Sequence, residues 1–333
     1  MTKKPRYLSG IKPTSSELHL GNYFGAVKQH VDFQEKGECL YFIADMHSLN
    51  AVYDPKELKN NIKNVILDYL ALGLDPNKSI IFQQSSVPEV MELQSVLNNV
   101  TPIGLMKRAH AYKAILDEEG NDESVNMGLF SYPILMAADI LLYQTDIVPV
   151  GEDQLQHIEI ARELARKFNT RYGNILTIPE PYIEKTCARI PGTCGKAKMS
   201  KSLGNVISIF ASEEKIKSQI MKCVTDPARI HKDDCGDPDK GVVFCFLDLI
   251  EPDSDKIAEL KERYRKGTIG DVELKNLLFE SHKEYFKEAQ IRRIELESNM
   301  NQIHEILEQG KKDAKKIALE TIEKIRDSIG IRI

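Results

Sequence analysis

The chain has 333 residues, a formal net charge of −5, and 42% hydrophobic and 29% charged side chains. Length alone suggests about two domains with a sizeable core, and the acidic balance excludes a globally basic nucleic-acid coat while leaving room for a local basic face. No apolar run approaches the roughly 18 residues that a bilayer crossing needs. The start "MTKKPRYLSG" lacks the apolar stretch of a secretory leader, so a cytoplasmic location is expected. Six cysteines, at 39, 187, 194, 223, 235 and 245, are too sparse for a disulfide framework. No C-x-x-C pair occurs, and Cys187 and Cys194 lack two further ligands at metal spacing, so no metal site is expected. The chain contains no Trp.

The first 170 residues alternate between strand and helix patterns. "RYLSGI" reads as a strand, "GNYFGAVKQHVDFQEKG" as a helix and "ECLYFIADM" as a β-rich run. "DPKELKNNIKNVILDYLALGL" opens with an Asp N-cap and a Pro at the first helical position. Its residues Ile62, Val65, Ile66, Tyr69 and Leu70 share one helical face. "SIIFQQSS" reads as a strand and "VPEVMELQSVLNNV" as a helix. The acidic stretch "AILDEEGNDES" has the look of a mobile loop before the apolar segment "MGLFSYPILMAADILLY". "DIVPV" is the next strand, and "EDQLQHIEIARELARKFNTRYG" the next helix. Such alternation implies an α/β fold with a Rossmann-like, doubly wound parallel sheet. From about residue 210 strand signals fade after "GVVFCFLDLI". The segments "SEEKIKSQIMKCV", "SDKIAELKERYRKG", "DVELKNLLFESHKEYFKEAQIRRIELESN", "NQIHEILEQG" and "KDAKKIALETIEKIRDSIG" predict a helical second domain.

Ligands of doubly wound sheets bind beyond the carboxyl ends of the strands. Three loops therefore draw interest. In "SGIKPTSSELHLGNY", Gly21 lets a ligand approach the backbone, and a helix starting there offers unpaired N–H groups to a phosphate. His19 and Asn22 could add donors; a plain loop with a capping Asn is the competing reading. In "VGEDQ", Gly151 clears space and Asp153 could accept from a ribose hydroxyl or an ammonium, although acids in a first helical turn are favoured anyway. In "KMSKS", Lys198 and Lys201 can reach one polyphosphate as point charges, with Ser200 and Ser202 as neutral donors. A solvated loop is the ordinary fate of such a cluster.

"HLGN" and "KMSKS" together resemble the two signatures of class I aminoacyl-tRNA synthetases, with Leu20 and Asn22 departing from the usual HIGH. "SGIKPT", "HLGNYFGA", "ADMHSL", "SYPILMAADILLY" and "DIVPVGEDQLQHIEIARELARKFN" make the chain similar to the bacterial, tryptophan-activating branch of that family. The resemblance implies a HIGH-type nucleotide-binding domain over residues 1–205, activating tryptophan with ATP. It also implies a helical domain over 206–333 that binds the tRNA anticodon, its last helix able to pack back on the first domain. It places Lys12, Pro13 and Thr14 at the ATP end of the first strand, where relatives often have Gln for Lys12. Gly21 and Asn22 would hold the nucleotide beside His19. Gly151, Glu152 and Asp153 would lie along the ribose and Ile190 by the adenine. Lys198, Met199, Ser200, Lys201 and Ser202 would close over the pyrophosphate, with Lys113 as a further candidate lysine.

For tryptophan, the resemblance makes Asp139 the acceptor of the indole N–H, which suits a group with one donor and no acceptor. Met136 would pack on the ring, His47 would line the pocket, and Tyr132 and Gln154 would sit near the ammonium or carboxylate. For Tyr132 and Met136 ordinary core packing is the competing reading. Mg²⁺ would bridge the phosphates, tRNA(Trp) would be the acceptor and a homodimer the expected assembly. Arg292, Arg293, Lys311, Lys312, Lys315 and Lys316 are candidate tRNA phosphate contacts, or simply a solvated helix face. The rival readings are a tyrosine-activating relative, a non-catalytic synthetase-like binding protein, and a nucleotidyltransferase on the same sheet.

Overall fold

The structure, a computed structural model, describes residues 4–14, 17–109, 112, 125–183 and 190–332, with only the backbone of Asp153. Lys113, Cys187 and the acidic stretch expected to form a mobile loop lie outside the described residues. Compactness divides the chain differently from a single cut after residue 205. One unit comprises Met1–Ser16, Gln29–Lys185 and Asn299–Ile333, and the other Glu17–Lys28 and Thr186–Ser298.

The first unit is built on a five-stranded sheet in the order β3-β2-β1-β4-β5. The strands are β1 (Arg6–Ile11), β2 (Glu38–Ile43), β3 (Ser79–Gln83), β4 (Ile147–Pro149) and β5 (Glu180–Tyr182). Every pairing is parallel, with Leu8 opposite Leu40 and Phe42 opposite Phe82. The doubly wound parallel expectation is borne out. Strand β5, "EPY", is an addition: three residues with a central Pro carry no strand signal.

Side chains alternate across the sheet. Leu8, Leu40, Phe42 and Phe82 join a core with residues of the Glu89–Asn98, Met127–Leu142 and Leu155–Tyr172 helices. On the other side Tyr7 stacks on Phe33 at 4.5 Å and Tyr41 on His30 at 4.9 Å. The Pro55–Ala71 helix begins as expected, with the Asp54 side chain accepting from the Lys56 N–H. "NQIHEILEQG" and "KDAKKIALETIEKIRDSIG" form one helix, Met300–Ile329, rather than two. Gly310 does not end it. Instead a Cβ there would lie 1.9 Å from the Ile81 carbonyl oxygen, so the glycine lets the helix approach β3. Ala314, Ala318, Ile322 and Ile325 carry that helix into the same core.

In the second unit "GVVFCFLDLI" is no strand but contains the helix Val243–Ile250. A short apolar run bounded by turns fits either element by periodicity. This helix and Glu213–Met221 pack on the long Asp271–Ser298 helix. Arg229, its side chain 1% exposed, pairs with Asp271 at 2.7 Å and lies over the Tyr264 ring at 4.2 Å. Helical residues Leu20–Asn22 run through a π segment, Tyr23–Val27, into Lys28–Phe33.

Candidate active site

The chain moves outward from β1 through β2 to β3, then returns to place β4 beside β1. In open α/β sheets ligands bind where the strand order reverses in this way, here beyond the carboxyl ends of β1 and β4. Lys12, Pro13 and Thr14 follow β1; Lys12 and Thr14 are exposed, and the Thr14 N–H bonds back to the Lys12 carbonyl at 2.9 Å. Gly151 and Glu152 follow β4 and are exposed, and Glu152–Gln154 make a single 3₁₀ turn. These residues thus share the edge of the sheet formed by the carboxyl ends of β1 and β4.

Beside that edge lies a buried polar cluster. Asp139, 1% exposed, accepts from His47 Nε2 at 2.9 Å and from Gln84 Nε2 at 2.9 Å on each oxygen. Burial is the dominant influence on its carboxyl and pushes its pKa up, while the bonds from His47 and Gln84 oppose that rise. The His47 ring meets Tyr132 edge-on at 5.9 Å, and the Tyr132 hydroxyl bonds to His157 Nε2. Asp45, just after β2, accepts from Gln83 Nε2 at 2.6 Å and from the Ser85 N–H at 3.0 Å, which ties down the turn that presents Gln84. Met136 is partly buried against the main core. The structure therefore brings His47, Tyr132 and Asp139 together. Gln84 and His157 join them without having been singled out in the sequence. The signal for Gln84 was available: two glutamines closing an apolar strand at its carboxyl end.

The second unit brings both signatures together. His19 pairs with Ser208 as an antiparallel bridge, and the Leu20 N–H donates to the Ile207 carbonyl at 3.0 Å. The segment leading into the first helix is thereby fixed to the chain just beyond the lysine loop. His19 caps the helix, and its N–H donates to Asn22 Oδ1 at 3.1 Å. Its ring is buried. Burial first, then the charges of Lys201 and Lys198, push its pKa down to about 4, so the ring is neutral at pH 7.

The Gly21 N–H, expected to face a phosphate, bonds to Met199 Sδ at 3.3 Å. A thioether is a weak acceptor, so an anionic oxygen replaces it at small cost. Met199 and Ile190 are both buried, and the Met199 N–H donates to the Ile190 carbonyl at 3.0 Å. Lys198 and Ser202 are exposed, and Ser200 Oγ lies 2.9 Å from Ser202 Oγ. Lys201 Nζ bonds to the Glu17 carbonyl, while the Glu17 carboxylate is held by Lys215 at 2.8 Å and by Ser208 at 3.2 Å. Two cations in an exposed loop, beside backbone donors and a neutral imidazole, suit an anion of high charge density. Of the basic residues considered for tRNA, Arg293 lies over Phe210 and reaches Glu297, Lys311 pairs with Glu308 and Lys315 with Glu89.

A Rossmann-like sheet in a chain that carries these two signatures is the architecture of a class I, amino-acid-activating synthetase. Residues 1–287 match the family described as tRNA synthetases class I (W and Y), and the chain belongs to it. It is 46% identical over 327 residues to the tryptophan–tRNA ligase of Fusobacterium nucleatum, covering 98% of each chain. It is 45% identical over 326 residues to that of Campylobacter jejuni, covering 98% of this chain and 100% of the relative. The crystal structure of the Campylobacter jejuni tryptophanyl-tRNA synthetase complexed with ADP and tryptophan superposes with a TM-score of 0.90 at 45% identity, covering 98% of this chain and 99% of that one. The Mycoplasma pneumoniae enzyme gives 0.82 at 29% identity, over 98% of each.

Proposed function

We propose that the chain works as a tryptophan–tRNA ligase, an aminoacyl-tRNA synthetase, in two steps. The carboxylate of L-tryptophan attacks the α-phosphorus of ATP, giving tryptophanyl-adenylate and pyrophosphate. A ribose hydroxyl at the 3′ end of tRNA(Trp) then takes the aminoacyl group and releases AMP. No protein nucleophile is required, because the substrate brings its own, so catalysis is positioning and charge stabilisation.

Lys198 and Lys201 meet the charge that builds on the leaving pyrophosphate, with Ser200 and Ser202 as neutral donors. Gly21 and Asn22 hold the nucleotide, and the exposed Gly151–Glu152 turn meets the ribose. Asp139 accepts the indole N–H, oriented by His47 and Gln84. The observation that carries the amino-acid assignment is this buried, acceptor-only carboxylate inside an apolar helix, since a site built around one hydrogen bond discriminates against side chains that cannot make it.

Among the described residues no three His, Cys, Asp or Glu side chains gather as a metal site. Mg²⁺ would arrive on the phosphates rather than as a resident ion. The helical residues after 205 are the surface we assign to tRNA, in a cytoplasmic homodimer. No described helix is long and apolar enough to cross a membrane. The test is amino-acid-dependent ATP–pyrophosphate exchange with tryptophan and tyrosine side by side. Exchange with tryptophan alone is expected; exchange with tyrosine overturns the role given to Asp139, and exchange with neither overturns the reaction.

A further inference from the structure

Asn205 lies three residues beyond the last serine of the lysine loop, yet the loop is built on it. The residue is 4% exposed. Its Oδ1 accepts from the Ser200 N–H at 2.7 Å, and its Nδ2 donates to the Lys198 carbonyl at 3.2 Å and to Cys194 Sγ at 3.5 Å. Its own carbonyl accepts from the Thr193 N–H at 2.9 Å. The carboxamide therefore grips the peptide groups on both sides of Met199, one by accepting and one by donating. Neither a carboxylate nor an ammonium can do both. The surroundings are shaped for it. A Cβ on Gly192 would stand 1.9 Å from Asn205 Nδ2, and Gly204 takes φ +62°, turning the chain back on itself.

We propose that Asn205 is the positioning residue of the lysine loop: it fixes the backbone from which Lys198 and Lys201 project and sets Met199 against Gly21. The role rests on the adenylation chemistry proposed above. Asn205 touches no reacting atom and acts through the two lysines, so only the step that expels pyrophosphate depends on it.

The test uses the full chain with Asn205→Asp and Asn205→Ala. Asp keeps the size and the acceptor for Ser200 but loses the donor to Lys198; Ala loses both. The turnover of tryptophan-dependent pyrophosphate exchange is expected to fall about tenfold or more in each. The KM for tryptophan should stay within about twofold, and transfer from preformed adenylate to tRNA should run at the parent rate, because pyrophosphate has already left. Asn205→Ala added to a variant lacking both lysines, Lys198→Ala with Lys201→Ala, should slow exchange by no more than about twofold further, since Asn205 acts through those two side chains. Should Asn205→Ala fail to fold, the near-isosteric Asn205→Asp carries the comparison. Parent-like exchange in the variants overturns the role, as does an equal fall in exchange and transfer, the mark of general destabilisation. The parent separates the two failures: without tryptophan-dependent exchange there, the reaction itself falls and the role with it.

Discussion

Replacing Asp139 by Asn tests the amino-acid assignment at its centre. The carboxylate takes one bond from His47 and two from Gln84, all at 2.9 Å, and is shielded from water. Asn keeps the volume and one acceptor oxygen but removes the charge. Hydrogen bonds to charged groups are worth about 1.5–3 kcal/mol. If the indole N–H is held by this carboxylate, kcat/KM for tryptophan falls roughly 10- to 150-fold in Asp139→Asn. The decisive comparison uses the benzothiophene analogue of tryptophan, in which sulfur replaces the N–H. Having no donor, it never gains from the charge, so its kcat/KM should change by less than about threefold. Pyrophosphate exchange measures both substrates on both proteins. Equal losses with tryptophan and the analogue would refute the reasoning and leave Asp139 as a packing element that holds His47 and Gln84.

Lys201→Ala should lower adenylate formation by orders of magnitude while the melting curve stays unchanged; an undiminished exchange rate would remove the clamp. Stability should fall in acid. Burial pushes the pKa of His30 and of His282 down to about 4, against 6.5 when unfolded. The unfolded chain therefore binds more protons between these values, so stability is complete above 6.5 and declines as pH drops toward 4. At pH 5 the loss is about 2 kcal/mol per histidine, read as urea midpoints at pH 7.5 and 5.0; a flat midpoint would contradict it. Gly310→Val should cost about 1–3 kcal/mol or more, because the added side chain meets the Ile81 carbonyl. A melting temperature equal to the parent's would mean that the last helix does not seat on β3.

The parts legible in the sequence were those with a local physical cause. The Asp54–Pro55 helix start, the apolar strands and the Gly-bearing strand ends each follow from steric or capping rules acting over a few residues. "KMSKS" was legible because residues in that order resemble a family signature, whereas its composition alone is that of a solvated loop. What could not be read depended on distant partners. β5 is held by pairing to β4 and not by its own propensity. Gly310 looked like a helix end because the crowding that excuses a glycine there comes from Ile81, far away in the chain. Val243–Ile250 looked like a strand because it is a short apolar run with one charged residue, Asp248, too little polar surface to betray a helical period. The site shows the same division. Asp139 stood out as a carboxylate among apolar residues and Gln84 closes its strand visibly, whereas His157 gains its meaning only when the fold sets it against Tyr132.

The first unit is assembled from three stretches of chain separated by the segments of the second. Its core includes Ala314, Ala318, Ile322 and Ile325, and Arg326 holds Glu92 through two bonds of 2.7 and 2.6 Å. During synthesis on the ribosome, β1 to β5 emerge well before the helix that covers their edge. Edge strand β3 and the Glu89–Asn98 helix must wait, with apolar surface uncovered, for more than a hundred further residues to be added. The nascent protein is thus committed to finishing its earliest element last, and the interval in which it is open to chaperones and proteases is set by the rate of translation.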